Sequence, residues 1–99
     1  MAKRKPLEEQ IEDEVIDLAE AAGWIQRKLK YADRRGAPDR MFYKFWNEYQ
    51  RARVVFIEFK RPGGVISGLQ AKEHKLMKER GVEAYIIDNV DEAKVVLGL

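Results

Sequence analysis

The chain of 99 residues contains no cysteine, and it has a single histidine, His74. Without cysteine it can form no disulfide bond, no thiolate metal site and no cysteine nucleophile. One histidine is also too few for a histidine-rich zinc site. Any bound metal must therefore be held by oxygen ligands, which favour a hard ion such as Mg²⁺ or Mn²⁺.

The sequence also has no apolar run near the roughly 18 residues that a membrane-spanning helix needs. The basic residues 1–6 are not followed by an apolar segment, so we expect no secretory signal. With 45% hydrophobic and 36% charged residues, the composition favours a globular protein. We expect a single domain over residues 1–99, with residues 1–6 flexible and the cytoplasm as its compartment.

Charge is distributed unevenly along the chain, although the formal net charge is only +2. Residues 8–20 carry seven acids and no base, whereas residues 27–61 carry eleven bases and four acids. A strongly basic middle segment indicates a partner that carries phosphates. The alternative is a solvated surface with patchy charge.

Hydrophobic periodicity and turn residues divide the chain into three helices and four strands. The predicted elements are a helix at 7–22, strands at 24–31, 39–46 and 54–60, a helix at 69–80, a strand at 82–88 and a short last helix. Ser67 is the predicted cap of the second helix, and Asn89 or Asp91 that of the last. The strand VVFIEFK is apolar on both faces, which is typical of a central strand.

Three charged residues stand where folding alone does not favour them. Glu58 and Lys60 lie two apart in the most apolar strand, so both project from one face. Asp39 opens the preceding strand, and a hairpin places it beside Glu58 at the end of the next. Two carboxylates so close raise each other's pKa unless a cation lies between them. A divalent ion on Asp39, Glu58 and the carbonyl of Phe59 would resolve this; a salt bridge from Lys60 is the alternative.

These residues resemble the core of the PD-(D/E)XK nucleases, and the fuller pattern is similar to the VRR-NUC family. The matching segments are Glu8-x-x-Ile11-Glu12, Gly36-x-Pro38-Asp39-Arg40, Ile57-Glu58-x-Lys60 and Ser67-x-x-Gln70. The resemblance covers nearly the whole chain. It implies an α/β (α+β) fold with a restriction-endonuclease-like αβββαβ core, in which helices flank a mixed central sheet.

The resemblance also implies divalent-metal-dependent hydrolysis of DNA phosphodiesters, with Mg²⁺ or Mn²⁺ as cofactor. Asp39 and Glu58 would be metal ligands and Lys60 the catalytic lysine. A glutamate of the first helix would complete the site; Glu8 is preferred, Glu12 is the alternative and Glu14 a third possibility. The family pattern includes a glutamine at Gln70 that would orient Lys60 or a water, although a capping box with Ser67 also explains it.

Stand-alone members of the family are expected to be homodimers that cut four-way junctions in a bacterial cell or a phage-infected host. Flap, nick or end-processing cleavage and a non-catalytic DNA-binding module are the alternatives. The aromatic residues Trp24, Phe42, Trp46 and Tyr49 are expected in the core or at the dimer contact, and His74 at the surface or an edge. The residues expected to contact DNA phosphates are basic: Arg27, Lys28, Lys30, Arg34, Arg35, Arg40, Arg51, Arg53 and Arg61.

Overall fold

Three helices and four strands make up the computed structural model within the residues that it describes, 5–45 and 51–99. Their order is α, β, β, β, α, β, α, as the sequence predicts. The elements are α1 (Leu7–Ala21), β1 (Ile25–Lys28), β2 (Arg40–Phe45), β3 (Ala52–Phe59), α2 (Gly68–Glu79), β4 (Glu83–Ile87) and α3 (Val90–Leu97).

The four strands form one mixed sheet in the order β1-β2-β3-β4. The first three strands pair antiparallel, whereas β4 runs parallel to β3. The parallel pairing follows from the connection, because α2 carries the chain back across the sheet before β4 begins. Strand β3 therefore lies between β2 and β4, and its predicted central position is confirmed.

The core lies between one face of the sheet and the helices α1 and α3. Alternate residues of β3 point into it, Val55, Ile57 and Phe59, and all three are buried. Helix α1 contributes the stripe Ile11, Val15 and Ala19, at helical spacing. Of the four aromatic residues predicted in the core or at a dimer contact, Trp24 and Phe42 are buried here, and Trp46 and Tyr49 lie outside the described residues.

Two strand boundaries differ from the prediction by more than one residue. Strand β1 ends at Lys28 instead of residue 31, because the chain then leaves the sheet and the Tyr31 hydroxyl reaches Glu73 on α2. Strand β3 begins at Ala52, two residues earlier than predicted, and Arg53 pairs with Lys44 of β2. The predicted connection at 47–53 is therefore partly strand, and the rest lies outside the described residues.

The helix caps agree with the sequence. The Ser67 hydroxyl accepts a hydrogen bond from the backbone N–H of Gln70, and the Asn89 side chain accepts one from that of Glu92. None of the helices within 5–45 and 51–99 is long and apolar enough to cross a lipid bilayer.

Candidate active site

The register of the hairpin β2–β3 brings Asp39 and Glu58 together. Arg40 pairs with Ile57, so the residue before β2 lies beside Glu58 near the end of β3. The Asp39 carboxylate accepts a hydrogen bond of 2.7 Å from the backbone N–H of Phe59. That bond fixes one Asp39 oxygen against β3 and holds its carboxylate next to Glu58.

Glu58 is the buried charged residue of the core strand, with 5% of its surface exposed. Its Oε2 accepts a hydrogen bond of 2.9 Å from Gln70, but its Oε1 is buried with no hydrogen-bond partner among the described residues. Burial and then the neighbouring Asp39 carboxylate raise the pKa of Glu58, and Lys60 opposes the shift, so that the pKa is about 8. The site thus holds a carboxyl group whose charge the protein alone does not satisfy.

Lys60 follows Glu58 on the same side of the chain, directly after β3. Its backbone N–H donates to the Ile87 carbonyl at 2.9 Å, which extends the pairing with β4 and fixes the lysine backbone. Its Nζ lies 3.7 Å from Glu58 Oε2, an ion pair that is too long for a hydrogen bond. The salt bridge is present, yet it does not account for the unpartnered Oε1.

Gln70 forms the capping box that was one of its predicted roles, and its amide binds Glu58 where the resemblance implied Lys60 or a water. Its Oε1 accepts from the Ser67 backbone N–H at 2.9 Å, which completes the capping box of α2. Its Nε2 donates to Glu58. Because the capping box holds the Gln70 oxygen, its amide nitrogen is turned toward the Glu58 carboxylate.

Gly36 explains why α2 begins so close to the site. Its φ is +102°, and a Cβ there would lie 2.7 Å from the Leu69 carbonyl oxygen. The backbone of the loop before β2 therefore touches the first turn of α2. That contact sets the distance between Asp39, which follows the loop, and Gln70 on the helix.

The three candidate glutamates of α1 differ in their surroundings. Glu8 is half-buried, and its charge also raises the pKa of Glu58, which places it near the site. Glu12 accepts a hydrogen bond of 2.8 Å from Arg40 instead. Glu14 is exposed to solvent. Of the three, Glu8 is the glutamate whose charge acts on Glu58, and its role as the third carboxylate stays a prediction.

The comparisons with known proteins agree with this geometry. No family model matches the chain. Over 89 residues, 90% of each protein, it is 26% identical to "Putative nuclease p44" of Acyrthosiphon pisum secondary endosymbiont phage 1. It superimposes with a TM-score of 0.79 on a solved structure described as a VRR_NUC domain, at 22% identity and with 95% of this chain and 97% of the other covered.

The chain has the fold of a VRR-NUC domain. The resemblance carried by Asp39, the Glu58–Lys60 segment and Gln70 is thereby confirmed for the fold, and so is the mixed sheet flanked by helices.

Two of the basic residues predicted to contact DNA are paired within this fold. Arg40 donates to Glu12 and to Gln26, and its side chain is largely buried. Arg53 holds both carboxylate oxygens of Glu83, at 2.7 and 2.8 Å. Both guanidinium groups are therefore held by side chains of the protein itself. The others are exposed: Arg27, Lys28, Lys30, Arg34, Arg35, Arg51 and Arg61.

A small cavity next to Glu58 is lined in part by His74, a residue that the sequence predicted at the surface or an edge. Its volume is about 10 Å³, roughly the space for one water molecule. Glu58, Gln70 and His74 all contribute to its wall. His74 is half-buried, and burial lowers its pKa. Its spacing of four from Gln70, one helical turn, was the signal that could have placed it here.

The donor atoms at the site suit a divalent cation, although the prediction of a complete ligand set is not met. Within residues 5–45 and 51–99 no group of three or more acidic, histidine or cysteine side chains is arranged to hold a metal. The unpartnered Glu58 Oε1, with the Asp39 carboxylate beside it, nevertheless provides oxygen ligands of the kind that Mg²⁺ and Mn²⁺ prefer.

The raised pKa of Glu58 predicts how stability depends on pH in cation-free buffer. Because this pKa rises from 4.5 to about 8 on folding, the folded state binds more protons than the unfolded state between these values. The contribution of Glu58 to the free energy of unfolding therefore falls as the pH rises across that window. Urea denaturation at pH 5.5 and pH 8 measures it.

Glu58→Gln is expected to remove this fall and to be at least as stable as the wild type at pH 8. Glu20→Gln, which removes an exposed acid of α1, is the matched control and should keep the wild-type dependence. Identical pH dependence in wild type and Glu58→Gln would contradict the unsatisfied burial of this carboxyl group.

Proposed function

We propose that this chain is a divalent-metal-dependent nuclease that hydrolyses phosphodiester bonds in branched DNA, with four-way junctions as its substrate. One observation carries the proposal: a buried glutamate with an unpartnered oxygen lies beside Asp39 and Lys60 in the middle of the sheet. A purely structural protein gains nothing from such a group, because burial without a partner costs free energy. The VRR-NUC fold and the similarity to a phage protein named as a nuclease support the proposal.

Asp39, Glu58 and Glu8, together with the Phe59 carbonyl, would hold Mg²⁺ or Mn²⁺. A bound divalent cation supplies Lewis-acid stabilisation of the negative charge that develops on the phosphate. On the protein side, the bond from the Phe59 N–H orients Asp39, and the amide of Gln70 orients Glu58. The carboxylates are therefore positioned before the substrate arrives, which avoids reorganisation during the reaction.

Lys60 is the proposed cationic group of the reaction. Its ammonium is near enough to Glu58 to remain in the site, but at 3.7 Å it is not bound tightly to that carboxylate. It can therefore turn to orient the attacking water or to stabilise the phosphate in the transition state. Binding of the substrate would come from the seven exposed basic residues, which contact phosphates without reading base sequence.

A homodimer fits this function, because two sites related by a two-fold axis can make paired cuts across a junction. The exposed apolar residues Ile25, Phe45 and Val54 support it. The register places them on the sheet face opposite the core, together with Tyr43. Contact with a second copy would remove this surface from water.

Substitution of the three central residues tests the catalytic proposal. Asp39→Ala, Glu58→Ala and Lys60→Ala are each expected to reduce cleavage of branched DNA by at least about 100-fold in Mg²⁺ or Mn²⁺, while binding of the DNA persists. Removal of the cation with EDTA should abolish wild-type cleavage. Gel assays of cleavage and anisotropy assays of binding measure both quantities.

Lys75→Ala is the control for Lys60→Ala, since Lys75 is an exposed lysine of α2. A central variant that cleaves at the wild-type rate would exclude its residue from the mechanism. Wild-type protein that binds DNA but never cleaves it would show a non-catalytic binding module.

A comparison of substrates tests the junction specificity. The wild type is expected to cut a four-way junction faster than a flap, a nicked duplex or a blunt duplex of the same sequence, with symmetric paired cuts. Light scattering should give the mass of a dimer under the same conditions. A monomeric mass together with preferred cleavage of the flap would replace the junction proposal with flap or nick processing.

A further inference from the structure

A basic groove borders the site on the far side of the contact between Gly36 and Leu69. The loop before β2 and one face of α2 form its walls, and its volume is about 160 Å³. Six residues line it: Arg34, Arg35, Leu69, Lys72, Glu73 and Leu76. The four helical members recur at steps of three and four, so they lie on one face of α2.

The groove adjoins the candidate active site along both of its walls. Gly36 follows Arg35 directly and belongs to the wall of the cavity next to Glu58. On the helix, Leu69 of the groove is followed by Gln70, which binds Glu58. A strand that leaves the active site on this side would therefore meet the groove next.

The charges of the groove suit a phosphate backbone. Arg34, Arg35 and Lys72 supply three cations, and the single ion pair of Arg34, with Asp33, is 3.4 Å long and exposed. The one acid, Glu73, is held by the Tyr31 hydroxyl at 2.6 Å. That bond takes up the Glu73 Oε2 and ties the carboxylate to the loop wall.

The apolar part of the groove points to unpaired bases. Leu69 is 52% exposed and Leu76 is 37% exposed, although both share the groove with three cations. A DNA duplex presents phosphates and base edges to its surface, whereas an unpaired strand also exposes the apolar faces of its bases. Exposed leucines beside cations therefore suit an unpaired strand, whereas contact with a duplex would bury little of their apolar surface.

We infer that this groove binds the unpaired strand that leaves the duplex at a branch point, with phosphates on Arg34, Arg35 and Lys72 and base faces on Leu69 and Leu76. The inference rests on the proposed nuclease activity on branched DNA, and it concerns branched substrates that carry an unpaired strand, such as a flap or a fork, and not the fully paired four-way junction. It also adds Lys72 to the basic residues that contact DNA.

Binding without cleavage tests the inference. Fluorescence anisotropy in EDTA compares a fork that has one single-stranded arm with a blunt duplex of equal length. Lys72→Ala and Leu69→Ser are expected to weaken binding of the fork several-fold and to leave binding of the duplex unchanged. For Lys72→Ala, the slope of log K against log salt on the fork should decrease in magnitude by about 0.7, the value for one lost contact to single-stranded DNA.

Two matched variants control for charge and for exposed apolar surface. Lys75→Ala removes an exposed lysine of the same helix outside the groove, and Val95→Ser changes an exposed valine of α3. Both should bind the fork as the wild type does. Thermal melting confirms that all four variants are folded.

Two results would overturn the inference: fork binding by Lys72→Ala and Leu69→Ser equal to that of the wild type, or equal losses on fork and duplex. The second would show that the groove binds duplex backbone. Cleavage of the fork by the wild type in Mn²⁺, measured in parallel, separates the two claims. Cleavage with unaltered binding by the variants rejects the groove alone, whereas failure of the wild type to cleave any DNA rejects the proposed function.

Discussion

The burial of one carboxyl group, that of Glu58, is the constraint on which the rest of the site depends. A charged carboxylate in the centre of a sheet is tolerated only if it is paired, bound to a cation or protonated. In this protein Asp39 lies beside it and raises its pKa, so pairing is incomplete. Without a cation the carboxyl group therefore keeps its proton up to about pH 8, and a bound cation would take the place of that proton.

The opposite end of the same strand shows what a satisfied charge looks like. Arg53 of β3 binds both oxygens of Glu83 on β4, and this lowers the pKa of Glu83. That pair therefore fills its own hydrogen-bonding capacity and needs no ligand. The contrast between Glu83 and Glu58, one strand apart, separates a structural ion pair from a candidate catalytic carboxylate.

The positions of Asp39 and Glu58 could be predicted from the sequence because local rules determine them. Two strands joined by a short connection form a hairpin, and the alternation of β3 fixes which side chains share a face, so Asp39 and Glu58 could be paired in advance. The internal ion pairs of Arg40 and Arg53 were missed because their partners, Glu12 and Glu83, are distant in sequence. A signal did exist: each arginine lies two residues from a core position of its strand, Phe42 or Val55, and therefore faces the core side. The place of His74 depended on how α2 packs against the sheet, which periodicity alone does not determine.

Anomalous diffraction from crystals soaked in Mn²⁺ tests the central claim most directly. The account predicts a manganese peak bound to carboxylate oxygens of Asp39 and Glu58, with the Glu58 Oε1 among the ligands. A structure in which Mn²⁺ binds only elsewhere, and in which Glu58 contacts nothing beyond Gln70 and Lys60, would contradict it.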